Sequence, residues 1–504
     1  MNRDYSAEII KRIKPYENNC TNLLHNLTTK YRYISKLFRV SMDSPVKSFN
    51  PSKHLKEQFV SNLTGSSKLE ISLLLTALSV LILIRRSIGF NYVSTGPIKK
   101  NDNAAVCNKN LRAYIAELVV DSTCILVPYI LFLTVLAEWT YTTAISMILL
   151  LLFMMAVKRN GSSFLQECNM DSIRANISSY RVSMMLVTCF CILAVDFKIF
   201  PRRYAKTETY GTSLMDLGVG SFVLANSLVS RQARGISNMT LRNALCSTSP
   251  LIFLGFARLI STTSVDYQVH VGEYGVHWNF FFTLAAVSIL TSIVNVSPNQ
   301  CGILGSFILI GYQVFLSRGL NEYLLSEKRG TNVMSQNKEG IFSIFGYWGM
   351  YLVGVRIGSY LFFENNVDTA LRTNKWTRTR VWSLCLFFWS TTLFLDLHVE
   401  RVSRRTCNLA YVSLVLAINL QVLAILMLSN YIPGGKISAM EEAFNRNLLG
   451  SFLLANILTG LVNLSVDTLL VPPISALAIL FAYGFILSFA VGSADFLGIK
   501  LKFW

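Results

Sequence analysis

The sequence predicts an all-α, polytopic membrane protein with about 13 transmembrane helices, and three observations carry that prediction. Apolar runs near the length needed to cross roughly 30 Å of hydrocarbon recur from about residue 69 to the C-terminus. The mean hydropathy is +0.44, and the 504 residues are 52% hydrophobic and only 15% charged, well outside the soluble class. The segments between the runs are short and charged, so no soluble domain fits after Ile71.

In chain order, the first predicted span, 69–84, ends on Arg85 and Arg86. Spans at 113–136 and 139–157 follow, and the fourth, 180–197, closes the run VTCFCILAVD on Asp196. The fifth, 212–229, starts among small residues. The sixth, 244–260, contains Pro250 and Arg258, a weak pattern for a span, and the eighth, 302–317, is short enough to be re-entrant. Between these two lies 277–296, and 340–363, 380–397, 407–430, 447–470 and 474–495 complete the set. Residues 1–41 read as an added extension, 42–68 as a polar N-terminal segment and 69–504 as the membrane domain. Residues 1–68 lack an apolar core followed by a small-residue cleavage site, so the first span is expected to direct insertion itself.

The formal charge of +18 is scattered over loops and forms no continuous stripe, which argues against a nucleic-acid partner and for anionic lipid surfaces. The ten cysteines show no CxxC pairs, which argues against a disulfide framework or a zinc site. Cys189 and Cys191, close to Asp196, read as small packing residues ahead of an acyl-cysteine.

Arg85, Arg86, Lys99, Lys100, Lys109 and Arg112, against the single acid Asp102, put the loop after span one in the cytosol, and the loops after spans three and five agree. With thirteen spans the N-terminus is expected in the lumen and the C-terminus in the cytosol. There the end Lys500-Leu501-Lys502-Phe503-Trp504 is similar to a lysine-based retrieval signal of the endoplasmic reticulum (ER).

Polar chemistry concentrates in residues 193–222, LAVDFKIFPRRYAKTETYGTSLMDLGVGSF. A charge at mid-bilayer costs about 2.5–3.5 kcal/mol on insertion scales, so such a cluster at a span's edge points to a substrate site. Asp196 is placed at the membrane edge as a candidate general base. Lys206, ten residues on, is suited to polarise a carbonyl or hold a phosphate, although ten residues can reach about 33 Å, so spacing alone does not bring the two together. Arg202 and Arg203 are candidate phosphate ligands, with interfacial snorkelling as the bland alternative. Asp216 lies one turn inside span five, while Gly211, Gly218 and Gly220 permit close backbone approach, most often to another helix.

A second cluster, YQVHVGEYGVHWNFF over 267–281, supplies Glu273, His277, Trp278 and Asn279, and His277 is the rival general base. His270, Glu273 and His277 have helical spacing for zinc, but Gly272 and Gly275 interrupt it and no HExxH pattern exists, so no metal is expected. Further polar islands are 337–341, Arg404-Arg405 with Asn408, and Asn456 and Asn463. The two asparagines lie seven residues apart on nearly one helical face.

The chain resembles the glucosaminyl-phosphatidylinositol (GlcN-PI) inositol acyltransferase family of GPI-anchor biosynthesis. The matching stretches are FVSNLTGSSKLEI, ILAVDF with IFPRRYAKTETYGTSLMDLGVGSF, EYGVHWNFF, NKEGI, VSRR with NLAY, and LLAN with TGLVN and DT. The resemblance implies an enzyme of the ER membrane that moves a fatty acyl group, typically palmitoyl, from acyl-CoA to the inositol 2-hydroxyl of GlcN-PI. It implies no bound cofactor, with acyl-CoA as co-substrate. It also implies that Asp196 and Lys206 match the family's acid-base and carbonyl-activating positions. Arg202, Arg203, Asp216, Glu273, His277, Trp278, Asn279, Asn456 and Asn463 are the expected substrate contacts. Lys198 and Thr406-Cys407 depart from the family pattern without removing a candidate catalytic group. The rival readings are a lipid transporter or scramblase, which predicts an internal repeat that is not evident, and a non-catalytic ER scaffold. A membrane-bound O-acyltransferase with a histidine base is the nearest enzyme alternative.

Overall fold

The structure, a computed structural model, describes residue 59 and residues 61–89, 111–161, 170–236, 241–264, 271–363, 373–432 and 437–499. The extension 1–41, the polar segment up to residue 58, the loop cations Lys99, Lys100 and Lys109, His270 and the basic tail 500–504 lie outside the described residues. Apolar helices follow the predicted spans in order: α1 Lys68–Ile88, α2 Leu111–Leu133, α3 Thr140–Gly161, α4 Met170–Ala194, α5 Leu217–Leu228, α6 Leu241–Ser264, α7 Phe280–Val294, α8 Pro298–Leu325, α9 Lys338–Phe363, α10 Thr373–His398, α11 Leu409–Tyr431, α12 Leu448–Ser465 and α13 Pro473–Phe496.

Eleven of these are long and apolar enough to cross a membrane, whereas α5 and α7, with 12 and 15 residues, are not. The predicted fifth span begins too early, at 212, because residues 212–216 are mostly buried but irregular. The Ser213 hydroxyl accepts the Asp216 N–H at 3.2 Å, and the Met215 N–H turns back to the Tyr204 carbonyl. At about 1.5 Å per residue α5 covers only roughly 18 Å, and the irregular backbone preceding it is tolerated because it is enclosed by protein.

The two spans the sequence marked as weak are full-length. In α6, Pro250 leaves the Cys246 carbonyl without its usual i→i−4 donor, and the Ser249 hydroxyl donates to that oxygen at 2.8 Å. Helix α8 runs 28 residues and bends at Gly319, where φ is 111°.

Helices α1 and α11 are buried on nearly all sides and form the centre, as expected of helices apolar all round. Helix α11 packs against α1, α4, α5 and α10; α8 pairs with α9, α6 with α7 and α1 with α3. The outer helices α3, α6, α8 and α10 turn large apolar side chains outward, among them Phe153, Phe253, Ile303 and Leu397. These make the lipid-facing surface. Helix α5 sits close to α11 because a Cβ on Gly220 would lie 2.8 Å from Val415 and 2.9 Å from the Tyr411 hydroxyl.

Arg85 and Arg86, read from sequence as loop cations, belong to the last turn of α1 and are buried. Arg85 pairs with Asp121 of α2 at 2.7 Å, and Arg86 pairs at 2.7 Å with Glu441 of the short helix Ala439–Arg446. Asp121 also accepts the Met440 N–H, and Ser438 and Glu441 form a capping box. These two arginines therefore fasten helices together.

Candidate active site

The site forms at the other end of α1, around residues 195–216. Helix α4 ends in tight turns in which the Asp196 and Phe197 N–H groups donate to Leu193 and Ala194 carbonyls. This leaves the Asp196 side chain buried beyond the helix end. Its carboxylate accepts the Asn463 Nδ2–H at 2.7 Å, and the same amide donates to the Thr459 carbonyl of its own helix. One of the two asparagines of α12 thus reaches the candidate base. The other, Asn456, donates to its own helix at the Phe452 carbonyl.

Arg202 shapes the turn after Asp196. Its Nη2 donates to the Val195, Phe197 and Phe200 carbonyls at 2.9, 3.1 and 2.9 Å, while the guanidinium lies 3.8 Å from the centre of the Phe59 ring. Burial lowers its pKa, and the charge of Asp196 opposes that effect. Arg203 points to α1, pairing with Glu70 at 3.1 Å and with Glu138 at 2.8 Å. The Tyr204 hydroxyl donates to the same Glu70 at 2.7 Å.

The N-terminal segment clasps this loop through its backbone. The Ser66 N–H donates to the Thr212 carbonyl at 2.7 Å and the Glu208 N–H to the Leu63 carbonyl at 3.0 Å. Gly65 and Gly211 hold φ of 81° and 126°, and a Cβ on Gly211 would lie 2.1 Å from the Thr64 carbonyl oxygen. Only glycine fits such a crossing.

Lys206 meets the second sequence cluster. Its ammonium lies 2.7 Å from Glu273 Oε2, and the other oxygen of Glu273 accepts Arg404 Nη1 at 3.0 Å. Arg404 Nε lies 3.1 Å from Asp216 Oδ1. Asp216 in turn accepts both the N–H and, at 2.8 Å, the hydroxyl of Thr207. Burial lowers the Lys206 pKa, Glu273 opposing it and Arg404 adding to it. Burial alone would raise the pKa of Glu273, but Lys206 and Arg404 hold it well below the usual carboxylate range. For Asp216 burial prevails and the pKa is raised, with Arg404 opposing.

The remaining candidates buttress this arrangement. Asn337 Oδ1 accepts the His277 and Trp278 N–H groups at 2.8 and 3.0 Å. The Trp278 ring covers Gly340, and its Nε1 donates to Thr283. Asn279 caps α7 by accepting the Phe281 and Phe282 N–H groups. Glu339, fully buried, receives Arg329 at 2.6 Å and Arg405 at 3.1 Å.

The structure therefore joins Lys206, Asp216 and Glu273 in one network and places Asp196 with Asn463 in another. Sequence reasoning did not assign roles to Arg404, Asn337 and Glu339, although the islands VSRR and NKEGI that contain them were visible. Glu273 of the weighed zinc set is held by two cations, and no group of three or more His, Cys, Asp or Glu side chains suited to a metal occurs among the described residues.

A helical bundle with an apolar outer surface and eleven helices long and apolar enough to cross a membrane defines a polytopic membrane protein, with a partly exposed lysine and a separate buried carboxylate in its loop 195–216. The family model GWT1 matches residues 52–493, and the chain belongs to the GWT1 family. It is 34% identical over 503 residues to the phosphatidylinositol-glycan biosynthesis class W protein of Dictyostelium discoideum, covering 90% of this chain and 99% of the relative. It is 31% identical over 517 residues to the mouse glucosaminyl-phosphatidylinositol-acyltransferase PIGW, again covering 90% and 99%. An uncharacterized protein of Arabidopsis thaliana is 54% identical over 432 residues, covering 84% of this chain and 98% of that protein.

Proposed function

We propose that this chain is a GlcN-PI acyltransferase of GPI-anchor biosynthesis, moving a fatty acyl group, typically palmitoyl, from acyl-CoA to the inositol 2-hydroxyl in the ER membrane. The observation that carries the reading is end-to-end similarity to the mouse relative of that name. In the proposed reaction Asp196 accepts the proton of the inositol hydroxyl as its oxygen attacks the thioester carbonyl. Lys206 stabilises the oxyanion, which collapses to the ester with cleavage of the carbon–sulfur bond, and CoA leaves as the thiolate. No covalent acyl-enzyme is required, in keeping with Cys189 and Cys191 being enclosed within α4.

Asn463 supports the base by fixing its carboxylate. Arg203, with about a third of its side chain exposed, is the arginine of the pair with surface to offer a lipid phosphate. Arg202 is committed to loop carbonyls. The N-terminus is assigned to the lumen and the C-terminus to the cytosol.

The test is transfer of radiolabelled palmitate from palmitoyl-CoA to GlcN-PI in microsomes at matched protein levels. Asp196→Asn and Lys206→Ala are each expected to lose at least about 10²-fold, with His277→Ala retaining appreciable activity. Full activity in Asp196→Asn would move the base to His277, and no transfer by the unmodified chain would reject the function.

A further inference from the structure

We propose that Arg404 is a positioning residue of this site, its guanidinium fixing at once the two carboxylates that hold Lys206 from either end. The inference rests on the reading of Lys206 as the group that stabilises the acyl oxyanion.

The contacts close into a ring. The Lys206 ammonium meets Glu273 at 2.7 Å, Glu273 meets Arg404 at 3.0 Å, and Arg404 lies 3.1 Å from Asp216. Asp216 then accepts the N–H and hydroxyl of Thr207, the residue next to Lys206. The tip of Lys206 is thus anchored through Glu273 and its backbone through Asp216, and Arg404 is the one group common to both anchors. Arg404 is 4% exposed, and its guanidinium also faces the Tyr274 ring at 5.8 Å.

Two acids and two bases alternate round the ring, so its formal charge is zero. Arg404 donates through Nη1 to Glu273 and faces Asp216 through Nε as an ion pair without hydrogen-bond alignment, a reach to two carboxylates that a lysine, acting as a point charge, would not reproduce. The charged groups acting on Lys206 are Glu273 from the one-turn helix Val271–Tyr274, Arg404 from the approach to α11, and Arg258 from α6. Both arginines and burial disfavour the ammonium form, and Glu273 favours it. Arg404 therefore helps fix the position of Lys206 and adds to the effect of burial on its protonation.

The experiment uses the full chain in detergent, with two readouts. One is kcat and KM for acyl transfer. The other is the pH titration of Lys206 by competitive acetylation with acetic anhydride, quantified by peptide mass spectrometry, which needs no turnover. Arg404→Gln is expected to shift the Lys206 midpoint upward and lower kcat about 10²-fold with KM little changed. Arg404→Lys, which keeps the charge but not the fork, is expected to leave the midpoint near that of the unmodified chain while kcat still falls. Glu273→Gln is expected to shift the midpoint downward, which confirms that the labelling reads the network round Lys206, and the fall in kcat of Arg404→Lys decides the matter if Arg404→Gln does not accumulate. An Arg404→Gln protein with unmoved midpoint and unchanged kcat overturns the positioning role, as does a Glu273→Gln protein with an unmoved midpoint. Full activity in Lys206→Ala overturns the parent reading alone, because the labelling midpoint still reports whether Arg404 acts on the lysine.

Discussion

The two ends of the bundle bury ions in different ways. At one end Arg85–Asp121 and Arg86–Glu441 are almost wholly enclosed, with no partner more than 4% exposed at its side chain. At the other, the ring through Arg404 includes Lys206, whose side chain is 36% exposed. A closed pair specifies which helices meet, since separating it would leave uncompensated charges. The open network leaves one cation partly exposed while its remaining members hold that cation in place.

The contrast can be broken most severely at the closed end. Arg85→Leu leaves Asp121 unpaired and is expected to cost about 3–5 kcal/mol. It should appear as a large fall in thermal stability in detergent by tryptophan fluorescence, while any protein that remains folded keeps its KM. Lys206→Ala in the same assay should melt close to the unmodified chain, and equal destabilisation by the two would erase the distinction between the two ends.

A smaller effect is expected at the clasp over the open end. Gly211→Ala places a Cβ against the Thr64 carbonyl at a φ unfavourable to alanine and should cost about 1–3 kcal/mol. Limited proteolysis should then cut residues 61–67 faster than in the unmodified chain.

The mildest perturbation is pH. Because the folded pKa of Lys206 lies below the ordinary lysine value of 10.5, its cationic form is present at lower pH and is lost as pH rises through that depressed value. Acyl transfer should therefore decline on the alkaline side before an ordinary lysine would titrate. Lys206→Arg, if active, should lack that decline in a pH–rate profile.

The helices were legible because hydropathy reports apolar content and length, which α1, α2, α4 and α11 supply in full. Hydropathy does not distinguish a span from a buried irregular segment, so residues 212–216 were counted into α5. Nor does it show that the Ser249 hydroxyl makes Pro250 harmless. The loop 193–222 was legible as a site from its charge, but its partners were not. Lys206 and Glu273 lie 67 residues apart, and Glu273 and Arg404 lie 131 apart, pairings set by how α6, α7 and α9 pack. For the same reason Arg85 and Arg86 looked like solvated loop charges, since the acids that meet them come from distant segments.

The brevity of α5 makes it a passenger among longer helices. A twelve-residue helix covers about 18 Å where the hydrocarbon is about 30 Å thick, and the mostly buried irregular segment 212–216 leads into it. A helix too short to cross alone depends on its neighbours for its position, and α5 takes its place from α9 and α11, against which it packs.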